Sequence, residues 1–255
     1  MLMVTDEEIL VEPGSTAAPE TFYIKITADG PYLVYGNPPI DQEIIISDKE
    51  GAAWVYRKGT SFDHSSNPVA LCRCGYSHHK PFCDGAHAQG QWDSRETSAK
   101  RPLLEDAKKY EGPAFILNDN EKYCAIARFC DACGDIWTLV EKAKTEEEQE
   151  LVRHEAGHCC SGRLVLWEKK TGRIFEPPFP PSLGIIEDPG MKVSGPIWVK
   201  GGIRIESADG KNYEIRNRVT LCRCGQSANK PFCDGTHIST HFHDDLSLEE
   251  KKEEW

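Results

Sequence analysis

No stretch of the 255-residue sequence runs apolar for the roughly 20 residues that a membrane-spanning helix needs, so no membrane anchor is expected. Basic residues are in deficit: 30 Lys and Arg stand against 41 Asp and Glu, for a formal net charge of −11. That balance argues against a nucleic-acid backbone or an anionic lipid surface as the main partner, because either would be met by Lys and Arg. The opening residues MLMVTDEEILVEPG turn acidic where an export signal would run basic and then apolar, so a soluble, cytoplasmic protein is expected. No Ser-His-Asp or Cys-His spacing supports hydrolytic catalysis. Gly201 and Gly202 follow no phosphate-binding pattern, so no nucleotide cofactor is expected. Hydrophobic residues at 39% and charged residues at 28% belong to a globular chain and not to a disordered one.

Cysteine is what the chain does have. Its eleven cysteines are odd in number and too sparse for a small disulfide scaffold. Reduced thiols used for metal or redox chemistry fit better. Six of them fall in an internal repeat, LCRCGYSHHKPFCDGAH at 71–87 and LCRCGQSANKPFCDGTH at 221–237. Only positions 76, 78, 79 and 86 differ from their counterparts 226, 228, 229 and 236. A second matching element precedes each copy, GPYLVYG at 30–36 and GPIWVKG at 195–201, and the first copy has fifteen more residues between that element and its cysteines. A repeat this long is a duplication.

Both copies read as β-rich. Phe22–Thr27 alternates apolar side chains on one face, Ala28-Asp29-Gly30 is turn chemistry, and Tyr32–Tyr35 is a second short strand. Ala53–Tyr56, Ile203–Ile205, Tyr213–Ile215 and Val219–Leu221 are further short strands, with Asp209-Gly210 as a hairpin signal.

Cys72 and Cys74 are two residues apart, so an extended segment points them to one side. His87 lies four residues after Cys83, on one face of a helical turn that Pro81 and Asp84 suit at its start, and Gly85 allows close backbone approach. Cys222, Cys224, Cys233 and His237 repeat the pattern. Three thiolates and an imidazole suit either zinc or an iron–sulfur cluster. Zinc knuckles usually space their cysteine pairs more widely, so the tight Cys-x-Cys favours a two-metal core with one ligand pair on each metal.

The string Cys-x-Cys-x-x-Ser-x-x-x-Pro-x-Cys-Asp-Gly-x-His resembles the signature of the CDGSH (mitoNEET-like) iron–sulfur domain family. Both copies match it at every fixed position: Cys72, Cys74, Ser77, Pro81, Cys83, Asp84, Gly85 and His87, then Cys222, Cys224, Ser227, Pro231, Cys233, Asp234, Gly235 and His237. The resemblance covers about half the chain. It implies two 2Fe–2S clusters, each bound by three Cys and one His, and it likens the GPYLV and GPIWV segments to strands of the family's β-cap. Ser77 and Ser227 are then expected to donate hydrogen bonds to the cluster. Arg73 and Arg223, between two thiolate ligands, are expected either to offset cluster charge or to be plain surface residues. The mitochondrial members carry one motif per chain, a membrane anchor and a two-chain dimer. Two copies in one chain imply instead a monomer in which the copies pair about an internal pseudo-twofold axis.

Between the copies, Thr145 followed by Glu148 is a capping-box pattern opening a helix through Val152. Arg163–Trp167 reads as a strand ended by the Lys170-Thr171-Gly172 turn, and Pro177, Pro178, Pro180 and Pro181 make a stiff connector. Cys124, Cys130, Cys133, Cys159 and Cys160 lie here. CAIARFCDAC followed by HCCSGRL distantly resembles divergent single-cluster ferredoxin-type segments, with Cys160 where those have a proline. Cys124, Cys130, Cys133 and Cys159 would be the ligands, and the alternatives are buried apolar thiols or a redox-active pair. His154 and His158, one helical turn apart, read as an ordinary packing pair more readily than as metal ligands.

The expected fold is α+β: two small β-rich cluster domains, 20–103 and 191–246, flanking a helical middle segment, 104–190, with a charged tail, 247–255. The expected function is one-electron transfer, or redox- and pH-sensitive carriage of clusters, with redox or cluster-acceptor proteins as partners. A histidine ligand accepts a proton near neutral pH more readily than a thiolate, and reduction adds negative charge that favours that proton. The other readings are a scaffold whose metal sites only hold the fold, and a redox enzyme with its site in the middle segment.

Overall fold

The computed structural model describes residues 9–246, so the charged tail from Ser247 lies outside the described residues. The chain is mainly β, with a small helical middle. Among the described residues no helix is long and apolar enough to cross a membrane.

Two of the three sheets are built jointly by the two copies. β1 (Tyr23–Ile26) and β2 (Tyr32–Tyr35) form an antiparallel hairpin over the Ala28-Asp29-Gly30 turn, and β5 (Val69–Leu71) pairs with β2. The strand beyond β1 comes from the other copy: β12 (Arg204–Glu206) runs parallel to it, matching Tyr23 with Arg204 and Lys25 with Glu206. A Lys25–Glu206 ion pair at 2.9 Å and the Arg204 guanidinium 5.0 Å from the Tyr23 ring centre line this seam.

The second sheet mirrors the exchange. β10 (Ser182–Asp188) and β11 (Val193–Lys200) are its hairpin, β13 (Arg218–Leu221) pairs with β11, and β3 (Ile40–Ser47) of the first copy joins β10 in parallel. β4 (Ala53–Ser61) then pairs with β3, so the longer spacing in the first copy accommodates an added edge hairpin. Ile24, Tyr32 and Val34 of the first copy share one core with Ile185, Ile197, Val199 and Ile203 of the second. The sheets therefore do not follow a division at 190, because β10 is the hairpin partner of β11. Tyr213–Ile215 is not a strand: after the Asp209-Gly210 turn, Asn212 and Ile215 make single bridges to Glu206 and Val11.

The middle segment contains more sheet than its helical pattern suggests. β6 (Lys108–Glu111), β7 (Phe115–Asp119), β8 (Leu164–Glu168) and β9 (Arg173–Phe175) form an antiparallel sheet in that order. α1 (Ile136–Lys142) and α2 (Glu146–Gly157) pack on it, burying Ile136, Val140, Val152 and Ala156 against Phe115, Leu117, Leu164 and Leu166. The capping box is present: the Glu148 N–H donates to Thr145 Oγ1 at 3.3 Å, and the Thr145 N–H to Glu148 Oε2 at 3.0 Å. β6 and β7 escape the sequence reading because β6, KKYE, is polar and exposed and offers no alternating apolar face.

Candidate metal centres

Each Cys-x-Cys begins where a strand ends. β5 delivers Cys72, and the chain then folds back so that the Cys72 N–H donates to Pro81 O (2.8 Å) and the Cys83 N–H to Ala70 O (2.9 Å). After β13 the same loop closes with Cys222 N–H to Pro231 O (2.8 Å) and Cys233 N–H to Thr220 O (2.9 Å). Gly85 and Gly235 take left-handed conformations and turn the chain into a single helical turn that carries the histidine. In the second copy this turn is α3 (Thr236–Ser239). Asp84 accepts from the backbone N–H groups of His78 (2.8 Å) and Ala86 (3.0 Å), which hold its carboxyl down at about 2. Asp234 takes the same two roles toward Ala228 and Thr236.

The loops set the ligands in pairs. Cys72 Sγ and Cys74 Sγ stand 3.8 Å apart, and Cys222 Sγ and Cys224 Sγ 3.6 Å. Cys83 Sγ lies 3.4 Å from His87 Nδ1, and Cys233 Sγ 3.4 Å from His237 Nδ1. Two thiolates each about 2.3 Å from one tetrahedral ion would stand ~3.8 Å apart, and a thiolate and an imidazole nitrogen ~3.6 Å. The spacing of each pair thus matches one edge of such a coordination shell. Among the described residues no three His, Cys, Asp or Glu side chains are gathered on a single ion position. Within each sulfur pair one thiolate is favoured: the hydrogen bond from Cys74 lowers the Cys72 thiol, and that from Cys224 lowers the Cys222 thiol, against the opposing effect of burial.

The two Cys-x-Cys turns abut across the seam. A Cβ on Gly75 would lie 2.6 Å from Cys224 O, and one on Gly225 would lie 2.2 Å from Cys74 O. The Tyr32 hydroxyl donates to Cys222 O at 2.8 Å, a further tie between copies. Gly225→Ala should therefore lower stability by about 2–3 kcal/mol, since both the left-handed backbone and a neighbouring carbonyl oppose the methyl. Thermal unfolding of the variant beside wild type measures this, and an unchanged midpoint would show that the turns do not press on each other.

Ser77 and Ser227 do not have hydroxyls free for a cluster. Each donates to a backbone carbonyl of its own loop, Ser77 to Phe82 O (2.6 Å) and Ser227 to Phe232 O (2.7 Å), and accepts from the N–H of His79 or Asn229. Their role is to shape the loop. Neither arginine is a surface residue, both being 2% exposed. Arg73 clamps the first hairpin turn through Nε to Gly30 O (3.0 Å) and Nη2 to Thr27 O (2.9 Å), and Arg223 reaches Gly195 O (2.6 Å) and Ile186 O (2.9 Å). They differ in charge balance. Arg223 pairs with Glu187 at 2.5 Å and with Asp244, whereas among the described residues no carboxylate pairs with Arg73, which lies 4.8 Å from the Trp92 ring centre.

Exposure separates the sites further. His87 and Cys83 are half-buried, and a Cβ on Gly85 would meet nothing within 4 Å. His237 is 4% exposed, and a Cβ on Gly235 would strike Ile126 and approach Cys124 O. Cys233 packs with Ala125, Phe129 and Cys160. The middle segment thus lies over the second site and leaves the first open, a difference that the near-identical motifs give no sign of. Burial, and next the Arg223 charge, push His237 down to about 4, so its imidazole is neutral with a lone pair available.

Of the middle cysteines, Cys124, Cys130, Cys159 and Cys160 line one cavity of about 360 Å³, and Cys133 is exposed outside it. His154 and His158 stack with ring centres 4.1 Å apart, His154 against Trp54 and His158 against Phe129, which is a packing role.

A family model described as the iron-binding zinc finger of CDGSH type matches residues 29–88 and 194–238. No curated protein and no solved structure matches the chain. Each matched region ends on its histidine turn and takes in the folded-back loop and all four paired side chains, so the chain carries two regions of the CDGSH type in tandem.

Proposed function

We propose that the chain binds two 2Fe–2S clusters, one held by Cys72, Cys74, Cys83 and His87 and the other by Cys222, Cys224, Cys233 and His237, and serves one-electron transfer or redox-sensitive cluster carriage. The observation that carries this is the pairing of ligands. Two edges of coordination, each 3.4–3.8 Å long, suit two metals bridged by sulfide better than four ligands on one zinc. The bound group would supply reversible uptake of a single electron. The protein's part is to hold one thiolate ready in each sulfur pair and to present an imidazole Nδ1 beside the third thiol. It also sets each site in a different environment, open with an unbalanced Arg73 or covered with a balanced Arg223. Eleven free cysteines suit a reducing compartment such as the cytoplasm.

The test is a visible spectrum with metal and sulfide analysis on anaerobically reconstituted protein. A red protein holding at least about four irons with matching sulfide, bleached reversibly by reductant, is expected. A colourless protein with two zinc ions per chain would make it a metal-stapled scaffold instead.

A further inference from the structure

The four cysteines facing the middle cavity come to it from three places in the chain: the loop after Tyr123, the turn Phe129–Asp131, and the segment after α2. Thiols buried for packing alone are enclosed by carbon. These instead border an open space of about 360 Å³ with Trp137 and Arg163 in its wall. Arg163 is 6% exposed and ion-paired to Asp119 at 3.2 Å, and the thiolate forms of Cys124, Cys159 and Cys130 would each favour its charge.

We propose that Cys124, Cys130 and Cys159 hold a third metal centre in this cavity, a thiolate-ligated iron–sulfide core. Soft thiolates select such metals, and a nearby guanidinium offsets the negative charge that several thiolates bring. A core suits these thiols because they reach the cavity from three separate parts of the chain. Ligands spread around a cavity can each take a different metal atom, as the two outer sites do with their pairs. Each ligation replaces an S–H bond by a sulfur–metal bond and releases one proton. Cys160 is 1% exposed and packs in one cluster with Cys233, so it separates the cavity from the second outer site. The third centre would therefore sit against the covered site and not the open one.

The experiment uses the full chain reconstituted anaerobically with iron and sulfide. Iron and sulfide are counted, and native thiols are labelled with iodoacetamide and mapped by mass, before and after removal of metal by a chelator. Iron above the about four of two 2Fe–2S sites is expected. Cys124, Cys130 and Cys159 should be shielded in the loaded chain and reactive once stripped, while Cys133 reacts in both. The triple variant Cys124→Ser, Cys130→Ser, Cys159→Ser should lose only the excess iron. Equal iron in wild type and variant, or labelling of the three thiols that metal removal does not change, would overturn the inference. Should the variant fail to fold, labelling of the wild type still decides. Failure of the outer sites would appear separately, as iron missing from wild type and variant alike.

Discussion

At about pH 5.5 the loaded chain is expected to lose its colour in two phases, the faster belonging to the site of His87. A proton and iron compete for the same Nδ1 lone pair, so release depends on how readily the imidazole becomes charged. His87 is half-buried beside the open Gly85, whereas His237 is 4% exposed, lies under the middle segment, and is pushed by burial down to about 4. Deeper burial opposes the charged imidazole, so the phase belonging to His237 should be the slower one. His87→Cys should remove the fast phase, because a thiolate holds iron more firmly, and it should lower that cluster's reduction potential through its added negative charge. His237→Cys should leave the fast phase untouched. Absorbance followed against time in the three proteins measures this. A single phase of full amplitude in wild type would mean that cover by the middle segment does not govern release.

Arg223→Leu should destabilise the chain by about 3–5 kcal/mol, well beyond Arg73→Leu at about 1–3 kcal/mol. Both substitutions strand backbone carbonyls, those of the first hairpin turn for Arg73 and those of Ile186 and Gly195 in the second hairpin's strands for Arg223. Only the loss of Arg223 also strands buried carboxylates, since Glu187 and Asp244 are fully enclosed around it. Burial, offset in part by the Arg223 charge, raises Glu187 from its ordinary 4.5 to about 8. A carboxyl with a raised folded-state pKa stabilises the fold through its proton. That contribution is complete at low pH and is lost as pH climbs from about 4.5 through about 8. Glu187→Gln should therefore flatten the decline of stability over that window. Some slope should remain from Glu12, which burial also raises to about 8. Denaturant midpoints across pH for the three variants test both points. Equal losses for the two arginines would show that the carboxylates around Arg223 add nothing.

The ligand set was legible because its constraint is local. Cys-x-Cys and Cys-x-x-x-His each keep two donors within one short loop, and the structure, which bends the chain at the Cys-x-Cys where an extended segment was expected, sets those pairs 3.4–3.8 Å apart. The capping box at Thr145 was legible for the same reason. The serine hydroxyls were misjudged because a local rival, the carbonyl five residues on, takes the hydrogen bond that sequence spacing left open. β3 and β10 went unread because their burial comes from pairing with each other across the two copies, a parallel match that neither strand's own pattern announces.

By itself, then, the sequence determined the duplication, the eight candidate ligands and their proposed division into pairs, since each depends only on residues within seventeen positions of one another. Tertiary structure alone decided what distinguishes the sites. The exchange of β3 and β12 puts both copies in one core, Glu187 and Asp244 reach Arg223 while among the described residues no carboxylate reaches Arg73, and Ile126 covers Gly235 while Gly85 stays open. Burial and Coulomb interaction depend on distance in space, and two nearly identical motifs acquire different chemistry from the unlike segments that fold against them.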